Sequence, residues 1–296
     1  MLPGQWGRKG RRAGGRGHFG GPSPGFGQVL GVLVVPTVLL AAPSCRAPME
    51  ASGAARPAVL SLSPDLERIQ PLETAPNWSG YGTTPGPFVA AAGAFQVPRL
   101  GPGAKCSAQL SLWVGVDGMR EQPGAASVIQ AGVTLAAIDP VTGRCSTRAP
   151  DVYAWWEIVP GPPKRIEGLD VHPGDQIYVS LARQSAGRWR IEVVNRTGGG
   201  RFEIVRPYRG ARSSAEWILE APTNSFACGA GVDPWVVVGL CPMPPYSPVA
   251  FFQLGVTGHS ARIWPIEMVQ EGHSVSAPSE LLGNAFGLIY TGPEAW

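Results

Sequence analysis

From Ser107 onward the chain alternates apolar and polar residues with a period of two, in short segments separated by turn signals. That period puts successive side chains on opposite faces of a strand. The segments are Ser107 to Asp117, Ser127 to Ile138, Asp151 to Val159, Asp175 to Ala182, Trp189 to Asn195 and Arg201 to Val205, followed by Ser213 to Glu220, Val249 to Thr257, Ala261 to Val269 and Ala285 to Tyr290. Asp139-Pro140, Pro160-Gly161-Pro162-Pro163 and His172-Pro173-Gly174 punctuate them, and Thr197-Gly198-Gly199-Gly200 predicts a hairpin turn. No segment carries an i, i+3, i+4, i+7 stripe of helical length. So many strands in one run predict an all-β domain, a sandwich of two antiparallel sheets.

The faces of four of these strands carry the candidate chemistry. In the last third of the chain, Ala215, Trp217 and Leu219 share a core face, which turns Ser214, Glu216, Ile218 and Glu220 the other way. A carboxylate in mid-strand, as at Glu216, is out of place unless its face is a wet cleft. The same parity sets Trp113, Gly115 and Asp117 opposite Leu112, Val114 and Val116. It sets Gln130, Gly132 and Thr134 opposite Ile129, Ala131, Val133 and Leu135, and Tyr153, Trp155 and Glu157 opposite Ala154, Trp156 and Ile158. If these strands share a sheet, its outer face carries Trp113, Asp117, Gln130, Tyr153, Trp155, Glu157 and Glu216. Aromatics with a few acids and an amide describe a binding cleft. Aromatics packed under a loop, with ordinary surface acids beside them, would give the same parity.

Composition agrees with the strand reading and adds a compartment. Charged residues are 15% of the 296, with 40 Gly and 31 Pro, which disfavours long helices. The net charge of +3 comes from Arg8, Lys9, Arg11, Arg12 and Arg16; without those five, 19 basic residues face 21 acidic ones, so no nucleic-acid partner is expected. The basic stretch precedes an apolar run over residues 29–42 and the small residues Ala42, Pro43 and Ser44, the build of an export signal. An uncleaved membrane anchor is the alternative, disfavoured by Pro36 and the shortness of the run. Cys45 sits where a lipoprotein signal would place its acceptor, although Pro43 and Ser44 fit that motif poorly. Four cysteines then remain (Cys106, Cys145, Cys228 and Cys241), enough for two disulfides in an oxidising compartment, with three connectivities open. Cys228 and Cys241 could staple the Pro-rich loop between them. Residues 46–76, rich in Ala, Pro and Ser, read as a poorly ordered linker or propeptide-like arm, and the folded unit as residues 77–296.

Other chemistries find little footing. The four histidines are scattered and form no H-x-x-x-H pair, no two cysteines form a metal knuckle, and no metal or cofactor is expected. There is no G-x-S-x-G elbow. Gly15-Arg16-Gly17-His18-Phe19-Gly20 spells G-x-G-x-x-G in the basic tail with no strand before it. Asn77-Trp78-Ser79 and Asn195-Arg196-Thr197 fit the glycosylation sequon. Two rival readings stay open on residues alone: a carbohydrate-binding sandwich using Trp113, Tyr153 and Trp155, and a glycosidase using Glu157 and Glu216.

The chain resembles the glutamic peptidases, or eqolisins. The matching pieces occur in order: Asn77-Trp78-Ser79-Gly80-Tyr81, Trp113-Val114-Gly115-Val116-Asp117-Gly118, Ile129-Gln130-Ala131-Gly132-Val133 and Tyr153-Ala154-Trp155-Trp156-Glu157. Pro173-Gly174-Asp175-Gln176-Ile177 and Ala215-Glu216-Trp217-Ile218-Leu219-Glu220 follow, with a looser echo at Phe252-Gln253-Leu254-Gly255-Val256-Thr257. The resemblance implies a lectin-like sandwich, of the concanavalin A-like kind, and a catalytic dyad of glutamate and glutamine. These fall on Glu216 and Gln130, and the family's cleft residues on Trp78, Trp113, Asp117, Trp155 and Glu157. Thr134 stands where the best-known members have an acid, and Val159 where they have an aromatic. Glu220 gains no role.

The activity so implied is that of a secreted acid endopeptidase acting on polypeptides, as a monomer, without metal or covalent intermediate. Ionised Glu216 would take a proton from water and return it to the leaving amine. Gln130 would donate to the developing oxyanion and orient the water. A free Glu ionises near pH 4.3, which suits acid conditions. Asp117 and Glu157 would push Glu216 upward by like charge, and Trp packing by desolvation.

Overall fold

Alternating segments with one apolar face are stable only when that face meets another. In the computed structural model, which describes residues 60–61, 68–106, 108–119, 127–137, 145–222, 241–258 and 262–293, they form sixteen strands and no α-helix among those residues. The first half comprises β1 (Leu60–Ser61), β2 (Glu73–Ala75), β3 (Trp78–Thr84), β4 (Phe88–Gln96), β5 (Gln109–Val116), β6 (Ile129–Ala136), β7 (Asp151–Ile158) and β8 (Lys164–Asp170). The second comprises β9 (Gln176–Ser185), β10 (Arg188–Asn195), β11 (Arg201–Pro207), β12 (Ala215–Glu220), β13 (Val249–Gly258), β14 (Arg262–Gln270), β15 (His273–Pro278) and β16 (Phe286–Tyr290).

One layer, the front sheet, runs β14-β3-β12-β5-β6-β7-β8, and the rear layer runs β11-β10-β9-β4-β13. β15 and β16 link β14 to β13, so both layers belong to one hydrogen-bonded path. The layers meet over one core. Leu110, Leu112, Val114, Val133, Ala154 and Trp217 of the front layer pack there with Ile177, Val179, Leu181, Ile191, Val193 and Phe95 of the rear. Trp217 crosses between them, its indole donating to the Ala92 carbonyl at 2.8 Å. The predicted hairpin joins β10 to β11, with the Asn195 side chain accepting from the Thr197 and Gly198 amides.

Where the structure departs from expectation, side-chain size and charge explain it. β4 is alanine-rich and buried on both faces, so it shows no alternation to read. β8 is an edge strand whose exposed Lys164, Arg165, Glu167 and Asp170 mask its two inward residues, Ile166 and Leu169. The arm expected to be poorly ordered up to residue 76 needs correction. Glu73–Ala75 pairs in parallel with β14, Ile69 bridges Ile263, and Leu60–Ser61 pairs with β13. Cys106 and Cys145 form a disulfide, and Cys241 is disulfide-bonded as well. Its expected partner Cys228, the loop residues 223–240 and the export signal or anchor over 1–45 lie outside the described residues.

Candidate active site

Register, more than parity, assembles the site. On the front sheet Glu216 lies opposite Gly82 on one side and Gly115 on the other. Gly115 in turn lies opposite Gln130, and Gln130 opposite Glu157. One row across five strands therefore reads Gly82, Glu216, Gly115, Gln130, Glu157. The next row on the same face reads Gly80, Ile218, Trp113, Gly132, Trp155, and the third Trp78, Glu220, Ser111, Thr134, Tyr153. Glu216 and Gln130 are thus two strands apart, about 9–10 Å between backbones, with only a glycine between them.

Three glycines admit side chains around the Glu216 carboxyl. A Cβ on Gly82 would lie 2.2 Å from the Met119 sulfur, one on Gly118 2.8 Å from the Trp78 ring, and one on Gly115 2.7 Å from the Trp113 ring. Enclosed in this way, Glu216 is 0% exposed. Its Oε1 accepts from the Gly118 and Met119 amides at 2.9 and 3.2 Å. Its Oε2 is buried without a hydrogen-bond partner and lies 3.1 and 3.3 Å from the positions that Cβ atoms on Gly115 and Gly118 would take. Burial pushes the carboxyl up to about 7; bonds from Ser214, Gly118 and Met119 oppose the rise, and the Asp117 charge adds to it.

Gln130 and Glu157 are directly joined, with the Gln130 amide donating to Glu157 Oε2 at 2.6 Å. One Gln130 N–H and the amide oxygen remain for other partners. Glu157 is raised from the usual carboxylate range by burial, against the Gln130 bond. Its charge also bears on Glu220, where it adds to the rise.

The aromatic residues gather as expected on this face. Trp113, Trp155, Ile218 and Ile266 form a second apolar cluster, with Trp78, Met119 and Tyr153 against it, and the Trp78 and Trp113 rings meet edge-on at 5.0 Å. The indole N–H of Trp155 is buried without a partner.

Asp117 is placed differently from the parity reading. β5 ends at Val116, and Asp117 takes φ of 73°, which breaks the alternation. Its carboxylate turns inward to accept from the Tyr208 hydroxyl at 2.7 Å and from the Arg212 and Ser213 amides, both at 2.6 Å. It fastens the loop leading into β12 to the turn that supplies the Gly118 and Met119 amides. Sequence reading missed Met119 and Tyr208, which no motif marks, and gave no role to Ser214, which parity set on the Glu216 face, or to Glu220, whose Oε2 accepts from the Trp113 indole at 2.7 Å.

Among the described residues no group of three or more His, Cys, Asp or Glu is placed to hold a metal ion. The arrangement can hold a water or a carbonyl oxygen between a proton-carrying carboxyl and a neutral amide.

Residues 76–275 match the sequence model of the Peptidase A4 family. Scytalido-glutamic peptidase, solved with a transition-state analog inhibitor, is similar in structure at 21% identity and a TM-score of 0.58, covering 73% of this chain and 98% of that one. SCP-B, described as a member of the Eqolisin family and solved with the tripeptide Ala-Ile-His, is similar at 21% identity and a TM-score of 0.55, with the same coverage. At that identity the likeness is one of fold. No curated protein matches the chain.

Proposed function

The chain belongs to the Peptidase A4 family and is a peptidase, and on that premise we propose that it is an exported endopeptidase cleaving polypeptides with Glu216 and Gln130. The observation that carries this reading is the unpartnered Glu216 Oε2, buried beside Gly115, the one residue between Glu216 and Gln130 in their row. A buried carboxylate oxygen without a donor is costly unless a water or substrate group completes it.

In the proposed reaction a water bridges Glu216 Oε2 and the Gln130 amide. The water oxygen bonds to the scissile carbonyl carbon as its proton passes to Glu216. The carbonyl electron pair moves onto oxygen, where the free Gln130 N–H stabilises it. Collapse breaks the C–N bond, and Glu216 returns the proton to the leaving amine. Asp117 acts as a support for the turn that holds Glu216, in place of the substrate contact expected of it. Of the residues expected to line the cleft, Trp78 and Glu157 are partly exposed and would meet substrate, whereas Trp113 and Trp155 are buried and would shape the site from within. The peptide ligands of the two similar structures fit a cleft that takes extended chains. Disulfide-bonded Cys106, Cys145 and Cys241 favour an oxidising compartment. The two-carboxylate glycosidase reading is disfavoured, since Gln130 stands between Glu157 and Glu216, whose backbones lie about 14 Å apart.

Burial revises the acid expectation. Glu216 must be ionised to accept a proton, and a carboxyl pushed up to about 7 loses that form as pH falls below 7. The limb of the pH profile that a free Glu would place near 4.3 is therefore expected near 7. The test is digestion of a denatured protein by wild type, Glu216→Gln and Gln130→Ala from pH 3 to 8. Equal activity in all three sinks the dyad, and activity abolished by a chelator points to a metal. Activity that grows steadily toward pH 3 assigns the reactive form to protonated Glu216.

A further inference from the structure

Glu220 shares the face of Glu216 and Ile218, yet the proposed reaction does not use it. It is partly buried, and no ion pair reaches it among the described residues. Its ligands are neutral: the Trp113 indole N–H on Oε2 at 2.7 Å and the Asn77 side-chain amide on Oε1 at 3.3 Å. Burial raises its carboxyl to about 7, with the Trp113, Trp78 and Asn77 bonds opposing and the Glu157 charge adding to the rise.

The far end of the same indole explains why a carboxyl is kept here. Trp113 Cζ3 and Cε3 lie 2.7 and 3.2 Å from the position a Gly115 Cβ would occupy, and Glu216 Oε2 lies 3.1 Å from that same point. The six-membered ring of Trp113 and the unpartnered oxygen of Glu216 therefore share the space over one glycine. That glycine is the gap between Glu216 and Gln130. A Trp side chain has two rotatable bonds, so fixing its N–H at one end fixes the ring edge at the other.

We propose that Glu220 is a positioning residue of this site: its carboxyl tethers the Trp113 indole, and through that ring sets the space in which Glu216 Oε2 and Gln130 meet the reacting water. The inference rests on the Glu216–Gln130 reading. Apolar packing holds Trp113 in the cluster, and the acceptor at 220 adds a directional bond that selects one rotation of its ring. Misplacing a reacting group by about 1 Å can cost on the order of 100-fold in rate.

The experiment uses the full chain and compares wild type with Glu220→Gln, Glu220→Leu, Trp113→Phe and the Trp113→Phe/Glu220→Leu double variant. Glu220→Leu is expected to lower kcat about tenfold or more with KM within about threefold, because the geometry is lost and the walls remain. Glu220→Gln keeps an acceptor and should stay within about threefold of wild type. In the double variant, losing Glu220 should add less than about twofold to the cost of Trp113→Phe, since both act through one contact. The Trp113 indole proton resonance, followed in ¹⁵N-labelled protein, should be exchange-protected in wild type and Glu220→Gln and should lose protection in Glu220→Leu. An unprotected resonance in wild type overturns the tether even if Glu220→Leu fails to fold. So does wild-type kcat in Glu220→Leu, or an equal loss in the Gln and Leu variants. A wild type that cleaves no polypeptide overturns the peptidase reading instead, and the resonance still tests the tether.

Discussion

On the outer face of the rear sheet Glu192 is 4% exposed, and Arg201 pairs with it at 2.8 Å. Arg201 also reaches Glu203, which Arg190 approaches at 3.8 Å. On the outer face of the front sheet Glu216 is fully buried, and its neighbours are backbone amides, a methionine and two tryptophans. Both strands alternate in the same way and both place a carboxylate outward in mid-strand. The difference is in what faces the acid from adjacent strands. A buried acid given a cation is a structural pair. One given burial and a few N–H groups has its ionisation moved toward neutrality, where a proton can come and go.

The largest expected contrast is in activity. Glu216→Gln should lower kcat/KM by about 10²–10⁴-fold, the usual worth of a positioned general base, whereas Glu192→Gln should leave it unchanged in the same assay. Gln130→Ala should cost about 10²–10³-fold, as expected for loss of one oxyanion donor, and mostly in kcat. Stability separates the faces in the opposite direction. The Glu216 carboxyl is raised in the folded protein, so its contribution is fully present below the unfolded value near 4.3 and is lost as pH rises through about 7. Glu216→Gln should therefore be more stable than wild type by about 3 kcal/mol at pH 8 and about equal at pH 4, by denaturant titration. A wild type that gains stability over that range would break the contrast. Smallest of all, Glu192→Gln should lose about 1 kcal/mol or less at pH 7, since Arg201 is 45% exposed and can turn to water.

Legibility in the sequence followed what a strand writes into its alternation. Leu112, Val114 and Val116 against Trp113 and Gly115 announce a face, and β5, β6, β7 and β12 keep the faces read for them. Alternation cannot say which strands are neighbours, so the row from Gly82 to Glu157 became visible only through register. It says nothing past a strand's end, which is why Asp117, in a left-handed turn, was assigned to the cleft. It fails where both faces are small and buried, as in β4. The contact between Trp113 and Glu220 joins strands 107 residues apart in the chain, and no local pattern encodes it. Cysteine pairing was open for the same reason. The disulfide closes Cys106 onto Cys145, across the hairpin of β5 and β6, which parity does not choose.

Trp217 sits one residue beyond Glu216 on the strand and points to the opposite side, where its indole nitrogen and Cδ1 would lie 2.9 and 2.8 Å from a Cβ placed on Gly93 of β4. The rear sheet thus carries, at Gly93, a seat made for the ring directly behind the reactive carboxyl. A methyl group there would press on β12 from behind and move Glu216 relative to Gln130 without altering a single cleft residue. Variants that retune this enzyme need not be sought in its cleft; the far layer holds a set screw for it.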